Sequence, residues 1–292
     1  MNKMKYIDKI KSNISIYSSK KTSNILDGLY RSIYRGRSMD FDDLREYTFG
    51  DDIKDIDWKS SARSSNILIR RYIAEKKHNI VCVVDTGKKM LADTKEHDLK
   101  KEVALMSAGT LAYIANNHGD LVSFLYIKDN HVEFKPFKSG ISNIEISLND
   151  YDKNMDENGK KGIQDSLKYI KNNVKRKMVI LVITDLEGMD KIEENILREL
   201  SVFSDIMVIN ISDAYMNGDN VYDIESGMYI PKLILKDSKL NKIEEKVKEE
   251  VYSRCMNKFK KYNISSVTID SNKQIIEKII NLLERNKNAN IR

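Results

Sequence analysis

The chain has 292 residues, of which 41% are hydrophobic and 32% are charged, and its formal net charge is +6. A chain of this length forms one large domain or a domain with an appendage. Because acidic and basic residues are interleaved, the positive excess indicates a solvated surface and argues against a nucleic-acid interface. The two cysteines, Cys82 and Cys255, lie far apart, which favours free thiols in a reducing compartment.

The N-terminal region predicts an amphipathic helix over residues 2–17. Apolar residues recur there at steps of three and four, and lysines line the remaining faces. We expect this helix to pack on its own domain, and the alternatives are attachment to a membrane surface or to a partner helix. No apolar run approaches the ~20 residues that cross a bilayer, and no signal peptide is evident. We therefore expect a cytoplasmic protein without a transmembrane segment.

Strands and helices alternate along most of the chain. After a strand at 67–74, the pattern predicts strands at 80–84, 121–127, 131–137, 178–184 and 206–211, with the second and third forming a hairpin. It predicts helices at 98–117, 141–148, 163–172 and 192–203, and a charged loop at 150–161. The tail adds a helix at 240–262, an edge strand at 264–270 and a helix at 274–285. Leu240, Ile243, Val247 and Val251 form the apolar stripe of the first tail helix.

This alternation is typical of an α/β fold with a doubly wound, mostly parallel sheet. We place that domain at residues 79–292. Residues 1–78 are expected to form an N-terminal α+β appendage docked on the core.

The densest run of charge and turn residues is 36–63, which also contains the only tryptophan, Trp58. Gly50 and Asp51 predict a tight turn, because glycine tolerates positive φ and aspartate caps turns. One interpretation is a recognition surface, or an acidic metal or substrate site. The other, which we favour, is a polar core of ion pairs around a buried Trp58 that fixes a long loop.

The order and spacing of residues in this run resemble the domain-of-unknown-function 58 family (DUF58). The matching residues are Arg45, Glu46, Tyr47, Gly50, Asp51, Asp57, Trp58 and Arg63. Lys54 and Asp55 depart from the family, which favours a basic residue there. The resemblance implies a bacterial protein with a domain like that of von Willebrand factor type A. It also implies a MoxR-type AAA+ ATPase as partner and the motif as an interaction segment.

Two carboxylates follow buried strands at the edge where doubly wound sheets bind ligands. Asp85 ends the first of these strands and Asp185 ends a later one. In the von Willebrand type A fold, this region resembles a metal-ion-dependent adhesion site built from Asp-x-Ser-x-Ser, a threonine and an aspartate. Here Gly87 and Lys89 stand at the serine positions, and 160–162 offers no threonine.

We therefore predict a degenerate site without metal or other cofactor, formed by Asp85, Thr86, Gly87, Lys88, Lys89 and Asp185. Lys88 or Lys89 would neutralise one of the carboxylates by an ion pair. In the alternative, Asp85, Thr86 and Asp185 bind Mg²⁺ through water. A third interpretation is that Asp85 only caps the following helix or turn.

The chain offers no catalytic motif of the common kinds, since it lacks GxGxxG, Walker A and HExxH patterns and its four histidines are scattered. We expect a non-enzymatic scaffold or adaptor. The first alternative is a divalent-metal-dependent adhesion module or hydrolase using Asp85 and Asp185. The second is a nucleic-acid binder using Arg35, Arg37, Arg70 and Arg71, with an affinity that falls steeply with salt.

Overall fold

The computed structural model of the chain describes residues 5–18, 26, 28–30, 43–53, 56–64, 66–71, 77–129, 131–155, 162–215, 221–224, 226–235 and 237–289. Its strands are β1 Asp43–Glu46, β2 Leu68–Arg71, β3 Asn79–Val84, β4 Leu121–Lys128, β5 His131–Phe134, β6 Val179–Thr184, β7 Asp205–Ile211, β8 Tyr222–Asp223, β9 Met228–Tyr229 and β10 Ser265–Ile269. Its α-helices are α1 Lys5–Ser18, α2 Trp58–Ser61, α3 Lys100–Asn117, α4 Ile141–Asn154, α5 Ile163–Asn173, α6 Leu186–Lys191, α7 Glu194–Ser201, α8 Lys232–Leu235, α9 Ser238–Lys261 and α10 Ile275–Ala289.

The main sheet has six strands in the order β10-β7-β6-β3-β4-β5. All neighbours pair in parallel except β4 and β5, which form an antiparallel hairpin. Strands β3, β6 and β7 are buried almost throughout, which explains their continuous apolar sequences. The predicted doubly wound, mostly parallel sheet is therefore confirmed, and the last strand lies at the sheet edge as expected.

Helices cover both faces of this sheet. One apolar cluster contains residues of α1, α3, α4 and α10, and the other contains residues of α5, α6, α7 and α9. The strands supply alternate residues to the two clusters: Cys82 belongs to the first, and Val81 and Val83 belong to the second. The sheet thus separates two cores, as the period-2 geometry of a strand requires.

The N-terminal helix α1 packs into the first cluster. Ile7 and Ile10 are fully buried. A Cβ added at Gly109 of α3 would lie 2.5 Å from the Ile10 side chain, so the two helices approach closely because glycine is there. The buried carboxylate of Glu145 accepts hydrogen bonds from the backbone N–H of Tyr6 and Ile7. A negative charge is favourable at this end of a helix, and it anchors α1 on α4.

Several predicted boundaries are wrong. The expected helix at 192–203 is the shorter α7, and a further helix that was not predicted, α6, precedes it and begins directly after Asp185. Helix α4 continues through 150–154, where a loop was expected, and the side chain of Tyr151 in this last part of the helix is buried. The described part of the strand at 67–74 is β2, which pairs with β1 in a separate two-stranded sheet, and residues 72–74 lie outside the described residues.

Most of the predicted apolar stripe of α9 lies at the surface. Leu240, Ile243 and Val247 are exposed, and the buried side chains of α9 are Cys255 and Phe259. These two side chains lie in the second half of the helix, which packs against α6 and β10.

The sheet order places the switch point beside β3. The chain runs from β3 to β4 on one side and later returns to β6 on the other side. The carboxyl ends of β3 and β6 are therefore adjacent, and Asp85 and Asp185 follow them directly.

Candidate functional site: the carboxyl edge of the sheet and the motif segment

Asp85 and Asp185 are both buried at the carboxyl edge of the sheet, and the local backbone fixes each carboxylate. Asp85 accepts hydrogen bonds from the backbone N–H of Gly87 at 2.9 Å and from the hydroxyl of Thr184 at 2.6 Å. Asp185 accepts one from the N–H of Gly188 at 2.9 Å and thereby caps α6. These bonds fix both oxygens of Asp85 and one oxygen of Asp185.

The ammonium of Lys89 lies between the two carboxylates. Its Nζ is 3.1 Å from Oδ2 of Asp85 and forms a second ion pair with Oδ1 of Asp185. Lys89 is only 6% exposed, and it belongs to a short 3₁₀ helix, Lys88–Leu91, that follows β3. Of the two lysines considered from the sequence, Lys89 makes these pairs and Lys88 lies half-buried beside them.

A second buried lysine extends this arrangement. Lys100 opens α3 and is 1% exposed. Its Nζ lies 2.9 Å from Oδ2 of Asp185 and also pairs with Asp213, which follows β7. Two ammonium groups and three carboxylates therefore form one continuous network, which we call the lysine lock: Asp85, Lys89, Asp185, Lys100 and Asp213.

Three groups of the lysine lock, Lys89, Lys100 and Asp185, keep their charges at neutral pH. Burial alone would lower the pKa of Lys89 and Lys100, but the neighbouring carboxylates reverse this effect and raise both values. Burial likewise raises the pKa of Asp185, while Lys100 and Lys89 bring it well below its usual range. Buried charges are tolerated here because each has a charged partner and hydrogen bonds.

The residues at this edge do not fit a divalent metal ion. An ion between Asp85 and Asp185 would have to displace the Lys89 ammonium, and Gly87 supplies no side-chain oxygen. The Thr86 hydroxyl donates to the carbonyl of Ile127 at 2.9 Å. Within the ranges that the structure describes, no group of three or more His, Cys, Asp or Glu side chains could hold a metal.

Glycines at two positions allow this close packing. A Cβ at Gly188 would lie 1.8 Å from the Thr184 hydroxyl and 2.9 Å from the Lys89 Nζ, so any side chain there would disrupt the network. A Cβ at Gly162 would lie 1.9 Å from the Ile127 side chain. Gly162, which stands where an adhesion site would have a threonine nearby, is therefore packed directly on β4.

The motif segment, residues 43–71, has the opposite character. Arg45 donates to Asp51 at 2.5 Å, and Asp51 also accepts from the backbone N–H of Thr48. Gly50 has φ +106°, a conformation that side chains rarely adopt. These contacts fix a turn whose tip presents Phe49, which is fully exposed.

The remaining motif residues support this segment from within. Asp57 caps α2 by accepting from the N–H of Lys59 and Ser60. Glu46 accepts from the side chain of Asn66, which joins the two sides of the segment, while Tyr47 is half-buried and Arg63 is exposed. Each of these contacts lies within residues 43–71.

The predicted polar core around a buried Trp58 is wrong. The Trp58 side chain is 64% exposed, and Phe49, Ile53 and Ile67 of the same segment are exposed as well. The arginine and carboxylate pair of this segment organises a turn at the surface and does not enclose the indole. Of the arginines considered for nucleic-acid binding, Arg35, Arg37 and the side chains of Arg70 and Arg71 lie outside the described residues.

Sequence reasoning missed three groups of the edge. Asp213 follows a buried strand just as Asp85 and Asp185 do, so the same rule applied to all three strand ends would have found it. Lys100 carries a weaker signal. A positive charge in the first turn of a helix is unfavourable because of the helix dipole, so a lysine there suggests that a carboxylate lies nearby. Thr184 gives no signal that separates it from any threonine ending a strand.

The family follows from the sequence of this same region. The family model described as "Protein of unknown function DUF58" matches residues 43–218, which include the motif segment and the strand ends of the lysine lock. The chain belongs to this family. No curated protein matches the chain.

Several solved structures are similar to this one. An aerotolerance-related membrane protein from Bacteroides fragilis is 14% identical, with 71% of this chain and 99% of that chain covered and a TM-score of 0.45. The protein BatB from Bacteroides thetaiotaomicron is 17% identical, with 70% and 99% covered and a TM-score of 0.43. A von Willebrand factor type A protein from Catenulispora acidiphila is 8% identical, with 73% and 43% covered and a TM-score of 0.41.

Likenesses at this level of identity carry no information about activity. Among the described residues, no helix is long and apolar enough to cross a membrane.

Proposed function

We propose that this protein is a non-enzymatic interaction module that works with a MoxR-type AAA+ ATPase, and that its carboxyl edge is a degenerate metal-ion-dependent adhesion site. The position of the Lys89 ammonium between Asp85 and Asp185 carries this proposal. A fixed ammonium replaces the positive charge of a divalent ion but offers no coordination site for a ligand carboxylate. The edge then acts as a permanent structural lock.

The chemistry of the lysine lock supports a role without catalysis. A lysine acts as a nucleophile or general base only when it is deprotonated. The pKa values of Lys89 and Lys100 are raised above their ordinary value, so both ammonium groups hold their protons at neutral pH. Asp185 is ion-paired on both oxygens and is not free to accept a proton from a substrate.

The motif segment supplies the docking face in this proposal. Phe49, Ile53 and Trp58 are large, exposed apolar side chains on a scaffold fixed by Arg45 and Asp51. Exposed aromatic residues on a rigid support are the usual anchors of protein interfaces. The ATPase as partner comes from the family resemblance, and the exposed aromatic face gives it a place to bind.

Thermal unfolding with and without millimolar Mg²⁺ or Mn²⁺ tests the closed edge. A ligand that binds only the folded protein, at ~100 times its dissociation constant, stabilises by about 2.7 kcal/mol, which is readable as a shift in Tm. We expect no shift for the wild type. We expect a metal-dependent rise in Tm for Lys89→Ser, because a hydroxyl then replaces the ammonium between the two carboxylates.

Lys88→Ser is the matched control, since it removes a neighbouring lysine that pairs with neither carboxylate. It should behave as the wild type. A rise in Tm of the wild type that disappears in Asp85→Ala would overturn the proposal and establish a working metal site. A Lys89→Ser variant that folds but ignores both ions would show that the edge is not an adhesion site closed by its lysine.

A further inference from the structure

The first half of α9 buries none of its side chains against the body of the protein. This helix has 24 residues, or about 36 Å at ~1.5 Å per residue, and its buried side chains, Cys255 and Phe259, both lie in the second half. Its first half therefore depends on helix continuity more than on packing. Helical segments of this length are marginal in water unless an apolar face is covered.

That half carries an uncovered apolar stripe. Leu240, Ile243 and Val247 are 43%, 56% and 51% exposed. Their spacing of three and four residues places them on one face, which is the seam spacing of paired helices.

The charged residues on the two sides of this stripe differ in whether they contact the body of the protein. On one flank, Glu244 pairs with Lys248 at 2.6 Å, and the Lys248 Nζ donates to the carbonyl of Ala214 and lies over the ring of Tyr215. These contacts turn that flank towards the body. The other flank carries Lys239 and Glu250, which are both exposed.

We propose that this stripe pairs with the same stripe of a second copy of this chain, in an antiparallel arrangement about a two-fold axis. Reversal of the helix about a point near Ile243 brings Leu240 opposite Val247 of the second copy. The two Ile243 side chains then meet near the axis. An isologous interface requires such a self-complementary pattern.

Charge complementarity selects the antiparallel direction. In that direction like flanks face each other, and Lys239 of each copy comes close to Glu250 of the other. Among the residues that the structure describes, Glu250 forms a loose ion pair with Lys246, at 3.9 Å between two largely exposed side chains. A parallel pair would set Lys239 against Glu244, whose carboxylate is already paired with Lys248.

The molar mass of the full chain in solution, measured by sedimentation over a range of concentrations, tests this pairing. The wild type should show a concentration-dependent dimer. Ile243→Glu should be monomeric at every concentration, because two carboxylates would meet at the axis. Phe203→Glu changes an exposed apolar residue elsewhere on the surface and should leave the dimer intact.

Charge reversal tests the direction. Lys239→Glu and Glu250→Lys should each weaken the dimer by about tenfold, because each change creates two like-charge contacts. The double variant should restore wild-type affinity. Circular dichroism verifies that each variant keeps its helical content.

Three results would overturn the inference. The first is a wild type that stays monomeric throughout. The second is a dimer that survives Ile243→Glu. The third is a double variant no stronger than the single ones, which would exclude this antiparallel register.

Discussion

The carboxyl edge and the motif segment use the same residue types under different burial. At the edge, Lys89 and Lys100 are almost completely buried with Asp85 and Asp185. In the motif segment, the pair of Arg45 and Asp51 is partly exposed and fixes a turn that carries aromatic residues into solvent. Opposite charges therefore stabilise a buried edge in one place and shape an exposed surface in the other.

The largest difference should appear on removal of one cation. Lys100→Met keeps most of the side-chain volume but leaves Asp213 and one oxygen of Asp185 without their ammonium. Removing one partner of a buried ion pair costs about 3–5 kcal/mol. We expect a loss of this size in the free energy of unfolding, measured with urea.

Arg45→Met is the matched change in the motif segment and should alter that free energy far less, since solvent screens its pair with Asp51. Equal losses of unfolding free energy in the two variants would contradict the proposed difference between the buried and the exposed ion pairs. They would show that the exposed turn contributes to global stability as much as the buried network does.

Acid should next lower the stability that the lysine lock contributes. The pKa of Asp185 is well below its unfolded value of about 3.9, so its ionised form stabilises the fold above that pH. This contribution is lost as the pH falls through the folded-state pKa. Lys89 and Lys100 act in the opposite direction, and their contribution is lost only as the pH rises beyond the lysine range. Burial raises the pKa of Asp213, which partly offsets the loss at low pH.

Salt sharpens this prediction. Hydrogen bonds from Arg45 and the Thr48 backbone bring the pKa of Asp51 to about 2, yet this carboxylate lies at the surface. Titration of both aspartates by NMR in low and high salt should move the pKa of Asp51 towards its ordinary value and leave that of Asp185 nearly unchanged. A shift of Asp185 with salt would mean that water reaches the lysine lock.

The smallest effect on stability should come from Trp58. Because its side chain is largely exposed, Trp58→Ala should leave Tm nearly unchanged. The same variant should weaken binding to a MoxR-type ATPase by more than tenfold, as expected for an interface anchor. Val202→Ala, another exposed apolar change, is the control for both measurements. Normal binding by Trp58→Ala would remove the motif segment from the proposed docking face.

Much of the fold could be predicted because its signals are local. Buried parallel strands such as 179–184 show as continuous apolar runs, and strand ends show where Asp85 and Asp185 meet. The exposure of Trp58 could not be predicted. Its burial was expected from the surrounding residues of opposite charge, and a sequence does not show whether such ion pairs are buried or exposed. The exposure of the α9 stripe could not be predicted for a related reason, because periodicity identifies an apolar face of a helix but not whether another element covers it.

The lysine lock was predictable only in part. Lys89 lies four residues after Asp85, so a short turn brings them together. Lys100 meets Asp185 across 85 residues of chain, and only the sheet order makes that contact.

The cap on α1 has a consequence for synthesis of the chain. The carboxylate that anchors the first turn of α1 belongs to Glu145, which is 139 residues downstream of Tyr6. At ~5–20 residues per second, the ribosome needs roughly 7–28 s to add that stretch. For most of this time the apolar face with Ile7 and Ile10 also lacks α3, which ends at Asn117, and it lacks its cap until α4 is made. The α1 segment can therefore reach its capped position only after α4 has been made.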